Sequence, residues 1–235
     1  MKMGFPEPDV YAGKSGVFIV DDHPLVREWL SNLVNGQMDL AVCGEAEDAA
    51  RALAGIGQAR PQIAVVDLAL KSGSGLELVK DIKLHHPGVG VIVLSMHDES
   101  LYAERALRAG ARGYVMKRET TKKILAAIRC VLEGGVYVSE GFAATIAEKL
   151  VSGAPLKPGT ASVPAELLSD RELEVFVLLG KGRSTPQIAE MLGISPKTVQ
   201  AYCARIKEKL GLSNATELLR AALRFEESNS VGQSG

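Results

Sequence analysis

The sequence predicts an α/β doubly wound parallel sheet of (βα)5 type, followed by a separate all-α four-helix domain. Short β-branched apolar runs alternate with amphipathic helical stretches as far as residue 135, a Ser/Gly/Ala/Pro-rich stretch follows, and beyond it only helical signals remain. A length of 235 residues suits two domains. With 46% hydrophobic and 23% charged residues, the composition supports a buried core and excludes wholesale disorder.

The strongest strand signals are Val17-Phe18-Ile19-Val20, Ile63-Ala64-Val65-Val66 and Val91-Ile92-Val93-Leu94. Continuous apolar runs of this length fit strands buried on both faces. Weaker strands fit 40–43 and 113–116, and amphipathic helices fit 24–35, 47–56, 75–84, 99–109 and 121–134. Such βα alternation implies right-handed crossovers and a sheet covered on both sides, with chemistry at the carboxyl ends of the strands. After Gly134-Gly135 the composition shifts, and 136–163 is expected to be a linker with a possible helical start. Residues 164–227 form the second domain. Its helices begin at legible caps: Ser169 with Glu172, Ser184 with Gln187, Ser195 before Pro196, and Asn214 with Glu217. The Ser/Gly/Asn-rich tail 228–235 is expected to be disordered.

Several function classes are disfavoured at once. The formal net charge of −1 gives no global signal for nucleic acid, so any such argument must rest on local clustering. Cys43, Cys130 and Cys203 have neither disulfide nor zinc spacing and read as small buried hydrophobes. No run reaches the roughly 18 apolar residues of a membrane helix, and the first 15 residues lack a signal-peptide core. A cytoplasmic protein with no membrane partner is the expectation.

The residues just past the strands carry the chemistry. Asp21 and Asp22 follow the first strand, Asp67 the third, Ser95 the fourth and Lys117 the fifth, so all should converge at one sheet edge. Three carboxylates in one pocket repel, and a divalent cation removes that cost; an oxygen-only shell suits Mg2+. With charge neutralised, one Asp can attack a phosphoryl donor while Ser95 and Lys117 hold two of the transferred oxygens. A single Asp after a buried strand can equally cap the next helix. The weight lies in five such residues at one edge.

On Val20-Asp21-Asp22-His23-Pro24, Val66-Asp67-Leu68, Leu94-Ser95-Met96 and Gly113-Tyr114-Val115-Met116-Lys117, residues 16–135 resemble the receiver domain of two-component response regulators. The resemblance implies that Asp67 is the phosphoacceptor and that a histidine kinase or small phosphodonor is the partner. It further implies that Asp22, Asp67 and the main-chain carbonyl of Ala69 ligate Mg2+ directly, with Asp21 acting mostly through water. Ser95 and Lys117 would be the switch residues, and Tyr114 the switch aromatic that moves between exposed and buried rotamers. Receivers often carry Pro four residues after the phosphoacceptor. This chain has Lys71 there, followed by Ser72-Gly73-Ser74-Gly75, so a more flexible loop is expected.

In the second domain Val199, Cys203, Ile206 and Leu210 recur at helical spacing as one apolar stripe. Opposite lie Lys197, Gln200, Ala201, Ala204 and Arg205, with Thr198 at the helix start. Small residues flanked by an amide and basic groups suit a DNA groove, where Lys and Arg meet phosphates and Gln pairs with adenine. The preceding helix, expected over 185–192, is separated from the Ser195 cap only by Gly193 and Ile194, a helix-turn-helix signature. Lys181, Arg183, Lys197, Arg205, Lys207 and Lys209 add local positive charge. The block from Leu168-Ser169-Asp170-Arg171-Glu172-Leu173-Glu174-Val175 to Lys209-Leu210-Gly211 resembles a LuxR-type domain, and with the receiver the chain is similar to the NarL/FixJ family. Members often carry basic residues where this chain has Gln200 and Ala204, and His where it has Tyr202.

Together these expectations describe a phosphorylation-controlled regulator rather than an enzyme, acting on double-stranded DNA as a homodimer when phosphorylated, because one recognition helix contacts few base pairs. A phosphatase of the haloacid dehalogenase type would need a second Asp two residues after the nucleophile, where this chain has Ala69. A protein-interaction module that has lost DNA binding is a second alternative, which DNA retention at low salt separates; a LuxR-type small-molecule sensor, the third, would need a ligand-binding domain where the acidic site of the receiver sits.

Overall fold

The computed structural model describes residues 13–70, 74–96, 98–151, 164 and 167–231. They fall into two compact units divided after Glu148.

In the first unit β1 (Ser15–Val20), β2 (Leu40–Ala46), β3 (Ile63–Val66), β4 (Gly90–Ser95) and β5 (Gly113–Met116) form one parallel sheet in the order β2-β1-β3-β4-β5. The intervening helices are α1 (Pro24–Asn35), α2 (Ala49–Ala59), α3 (Gly75–His85), α4 (Glu99–Ala109) and α5 (Thr121–Leu132). Local chemistry sets their starts. Pro24 occupies the first turn of α1, where its missing N–H costs nothing. Asp48 accepts from Arg51 N at 2.8 Å and Asp98 from Ser100 N at 2.9 Å. β3 is buried throughout, as expected of a central strand in a sheet covered on both faces, and β5, although last in the order, is buried throughout as well. α1 and α5 supply Leu30, Val34, Ile124, Ala127, Ile128 and Val131 to the core that also holds Val17, Ile19, Val65 and Leu94.

Strand order reverses between β1 and β3, which opens a crevice at their carboxyl ends. Register then aligns the residues that follow the strands. Val20 pairs with Val66, Val66 with Val93, and Ser95 with Met116. The ladder extends one step further, with Asp67 N donating to Val20 O at 2.8 Å and Lys117 N to Ser95 O at 2.8 Å.

The main departures from the expected boundaries are at β2 and in the linker. β2 runs to Ala46, because its edge position tolerates the alternation of buried Cys43 and Ala46 with the more open Gly44 and Glu45. The segment read as a linker is ordered over its first part: Tyr137 exchanges backbone hydrogen bonds with the β5 edge (Tyr137 N to Arg112 O, Tyr114 N to Tyr137 O, both 2.9 Å). Helix α6 (Glu140–Val151) follows, started by Ser139, whose Oγ accepts from Phe142 N at 3.1 Å. Gly134-Gly135 is therefore a turn within the unit; the remainder of that segment, 152–163, lies outside the described residues.

The second unit packs α7 (Asp170–Gly180), α8 (Thr185–Met191), α9 (Pro196–Leu210) and α10 (Ala215–Val231). Its core joins Leu173, Phe176, Ile188, Val199, Ile206, Leu218, Ala222 and Phe225, with the Phe176 and Phe225 rings 5.5 Å apart. Capping boxes start α7 and α8, and Glu217 N donates to Asn214 Oδ1 at 3.0 Å ahead of α10. α10 runs into the expected tail as far as Val231, with Ser228 Oγ donating back to Arg224 O at 2.8 Å, so the disordered tail is corrected for 228–231; residues 232–235 lie outside the described part. Among the described residues no helix is long and apolar enough to cross a membrane.

Candidate functional site

The crevice at the β1–β3 switch point collects buried charge. Asp21, Asp22 and Asp67 are 1%, 7% and 2% exposed and Ser95 is fully buried, although ionised carboxylates are rarely buried unless paired. The partner is Lys117, whose Nζ donates to Asp21 Oδ2 at 2.6 Å and to Asp67 Oδ2 at 2.8 Å. Asp67 Oδ1 accepts from Ala69 N at 3.2 Å. His23 Nδ1 lies 2.8 Å from Asp22 Oδ1 and 3.3 Å from Asp21 Oδ1, and His23 N donates to Asp21 Oδ1 at 2.9 Å.

One ammonium does not balance three carboxylates. Burial pushes the Asp67 carboxyl up; Lys117 pulls it down and the Asp21 charge raises it again, leaving it above the usual range. Burial pulls the Lys117 ammonium down, but Asp67 and Asp21 outweigh it and hold it above its usual value. The residual negative charge is what a divalent cation removes. Ligand atoms of Asp21, Asp22, His23 and Asp67 all lie within 4.8 Å of one another, and a set made mostly of carboxylate oxygens fits a hard cation.

Ser95 and Tyr114 hydrogen-bond through their side chains. Tyr114 is 1% exposed, so the ring occupies the buried one of the two expected rotamers; burial pushes its phenol well up, against the Ser95 bond. Residues 71–73, which hold Lys71 and the start of the loop expected to be flexible, lie outside the described residues. The loop's far end is fixed: Gly75 N donates to Leu68 O at 3.1 Å. A Cβ on Gly75 would meet Leu68 Cα at 2.5 Å and the Asp67 carbonyl oxygen closer still, so only Gly fits behind Asp67.

In the second unit, α8 and α9 meet across a turn in which Gly193 adopts φ +61°, the left-handed conformation glycine takes without penalty. Ser195 Oγ accepts from Thr198 N at 3.1 Å to start α9. Lys197, Gln200, Ala201, Ala204 and Arg205 are all exposed on α9. Thr198 is half-buried, with its hydroxyl 2.8 Å from Ser195 Oγ, so it serves the cap. On the opposite stripe Val199 and Ile206 are buried, whereas Cys203 and Leu210 are only half-buried. Arg205 stacks over the Tyr202 ring at 5.9 Å. Two members of the basic cluster are engaged within the unit: Lys209 with Glu172 at 2.6 Å and Lys181 with Glu226 at 3.7 Å.

Sequence patterns alone did not mark His23, Arg27 or Gly75, and they marked Glu172 only as the cap partner of Ser169, not as the partner of Lys209. His23 stood inside the acidic motif, which was its available signal; the others act through contacts that only the fold creates.

Residues 17–129 match the response regulator receiver domain and residues 166–222 the luxR family of bacterial regulatory proteins. The oxygen regulatory protein NreC of Staphylococcus aureus (strain bovine RF122 / ET3-1) is 35% identical over 209 residues, covering 88% of this chain and 96% of NreC. A LuxR-family two-component response regulator from Aurantimonas sp. SI85-9A1 is 34% identical, with 59% of this chain and 99% of that one covered and a TM-score of 0.55. RcsB from Salmonella enterica serovar Typhimurium, solved on promoter rprA with phosphomimetic BeF3−, is 25% identical over 89% of this chain and 98% of its own, with a TM-score of 0.57.

Proposed function

The chain belongs to the two-component response regulators of the NarL/FixJ type, in which a receiver and a LuxR-type DNA-binding domain control transcription, and from that premise we propose that Asp67 is its phosphoacceptor. The observation that carries this is the Lys117 ammonium held between Asp21 and Asp67 in a pocket of three buried carboxylates. Asp67 attacks the phosphorus of a phosphohistidine on a kinase or of a small acyl phosphate. The P–N or P–O bond to the donor breaks, its electron pair leaves with the donor, and an aspartyl phosphate forms. Asp22, Asp67 and the Ala69 carbonyl would hold Mg2+ directly and Asp21 through water; the ion supplies neutralisation of the phosphoryl oxygens. Lys117 Nζ transfers from the Asp67 carboxylate to a phosphoryl oxygen. Ser95 swings toward another, breaking its bond to Tyr114, which frees the ring to move.

The output is DNA binding by α9. Lys197 and Arg205 meet phosphates, while Gln200, with the small Ala201 and Ala204 beside it, reads base edges; Thr198 acts through the cap. Phosphorylation favours a homodimer, since two copies on adjacent half-sites multiply the contacts of a weakly basic surface. The promoter-bound, BeF3−-loaded RcsB relative supports coupling between the two events. We place the protein in the cytoplasm, as a regulator without an enzymatic substrate of its own.

Labelling of the full chain by a small acyl phosphate tests the assignment. Wild type should take up label only with Mg2+, Asp67→Asn should take up none, and only labelled wild type should gain affinity for double-stranded DNA. Wild-type label on Asp67→Asn would refute the proposal.

A further inference from the structure

Beneath the acidic crevice lies a second charge network. Arg27, one turn into α1 and 17% exposed, donates from Nη1 to the carbonyl oxygen of Asp21 at 2.7 Å. Its Nε lies 3.6 Å from Glu45 Oε2 at the end of β2, and Ser31 Oγ bonds the other Glu45 oxygen. The Asp21 N–H, on the other side, donates to Ala46 O at 3.2 Å. Both backbone groups of Asp21 are thus tied down, and the acceptor of the Arg27 bond belongs to the planar peptide joining Asp21 to Asp22. Fixing that plane fixes the direction in which the chain leaves Asp21 and enters Asp22.

A guanidinium beside a cation-binding pocket opposes the cation by Coulomb's law, so charge alone gives it no role there. Geometry does. The planar fork reaches a carbonyl and a carboxylate at once, which a single ammonium on a flexible stem does not reproduce. We propose that Arg27, anchored by Glu45, is a positioning residue for the cation site, holding the Asp21–Asp22 peptide so that both carboxylates stay within ligand distance of Asp67. This rests on the reading that Mg2+ binds at Asp21, Asp22 and Asp67.

The test uses Trp29, the chain's only tryptophan, which lies on α1 and so follows the first unit alone. Thermal unfolding of the full chain, followed by Trp29 emission across a Mg2+ titration, gives two quantities. The metal-free melting temperature reports structural cost, and its rise with Mg2+ reports affinity by linkage. Arg27→Lys keeps the charge and loses the fork; Arg27→Met keeps the packed stem and loses the charge. Positioning predicts an apparent Mg2+ Kd about tenfold higher in both, the scale for groups that orient metal ligands. Pure electrostatics predicts an unchanged Kd for Arg27→Lys and a lower one for Arg27→Met, and either result overturns the proposal. Should Arg27→Met fail to fold, Arg27→Lys alone decides. A wild type with no Mg2+ response would overturn the cation reading itself and this role with it.

Discussion

Gly75→Ala should damage the receiver out of proportion to one methyl group. The added Cβ would stand 2.5 Å from Leu68 Cα and 2.9 Å from Leu68 O, with the Asp67 carbonyl oxygen nearer still, whereas contacts under 3.0 Å are essentially never seen for real Cβ atoms. Carbon atoms rest about 3.5–4.0 Å apart, so α3 and the end of β3 must separate by roughly 1 Å, and the obstacles are backbone atoms without a rotamer to change. Overpacking of this kind costs about 1–3 kcal/mol, and rigid neighbours place it at the upper end. Against that, Ala lowers the entropy of the unfolded chain by about 0.4–1 kcal/mol. The net expectation is about 2 kcal/mol of destabilisation. In urea, with an m-value of about 2 kcal/mol/M, the midpoint of the Trp29-detected transition should fall by about 1 M. Because relief requires Asp67 or Leu68 to move, the initial rate of labelling by a small acyl phosphate should fall as well, under conditions where the variant is fully folded. Gly88→Ala is the control, since nothing lies within 4 Å of a Cβ there. If Gly75→Ala matched that control within about 0.5 kcal/mol and labelled at the wild-type rate, the close approach would have no energetic content and the argument would fail.

The receiver was legible because its inner strands are buried on both faces: β1, β3 and β4 present runs such as Ile63-Ala64-Val65-Val66 that no surface segment would carry, and β5 followed as a weaker one. Once those strands were placed, Asp21, Asp22, Asp67, Ser95 and Lys117 fell at one edge without further assumption. β2 was half legible, since an edge strand alternates and Glu45 reads as the start of a loop. Arg27 was invisible, because an arginine on an amphipathic helix reads as solvated surface and its acceptor is a backbone carbonyl six residues away in the chain. Gly75 disappeared into a Ser/Gly-rich stretch, and its role is a distance that periodicity does not encode. α6 was legible only as a possible helical start of the linker, for a related reason. Gly134-Gly135 signals a break, yet the chain turns back there to complete the β5 edge through Tyr137 before the Ser139 cap starts the helix. In the second unit the caps were clear, and at the start of α9 the Thr198 hydroxyl lies 2.8 Å from the capping Ser195 Oγ.

Lys117→Ala should still accept phosphate at Asp67 while losing the phosphorylation-dependent gain in DNA affinity, because the ammonium is absent from the phosphoryl oxygens it would hold; a retardation assay in which labelled variant and labelled wild type bind alike would contradict this. Glu172→Gln separates a charge from a cap. The carboxylate accepts from Ser169 N at 2.8 Å and from Lys209 Nζ at 2.6 Å, tying the start of α7 to the end of α9, and Gln can keep the first bond but not the ion pair. Burial raises the Glu172 carboxyl, but the bonds from Lys209 and Ser169 outweigh it and hold the folded value below the usual one. A depressed folded value contributes stability above the unfolded value and loses it as pH falls through the folded one. With Lys209 41% exposed, solvent screening limits the pair to about 1 kcal/mol at neutral pH. Hydrogen exchange of the α9 amides should therefore quicken in Glu172→Gln at neutral pH and converge with wild type once the medium is acidic enough to protonate Glu172. A penalty that stayed constant across that range would assign the loss to packing or to the cap, and the ion pair would hold no part in placing α9.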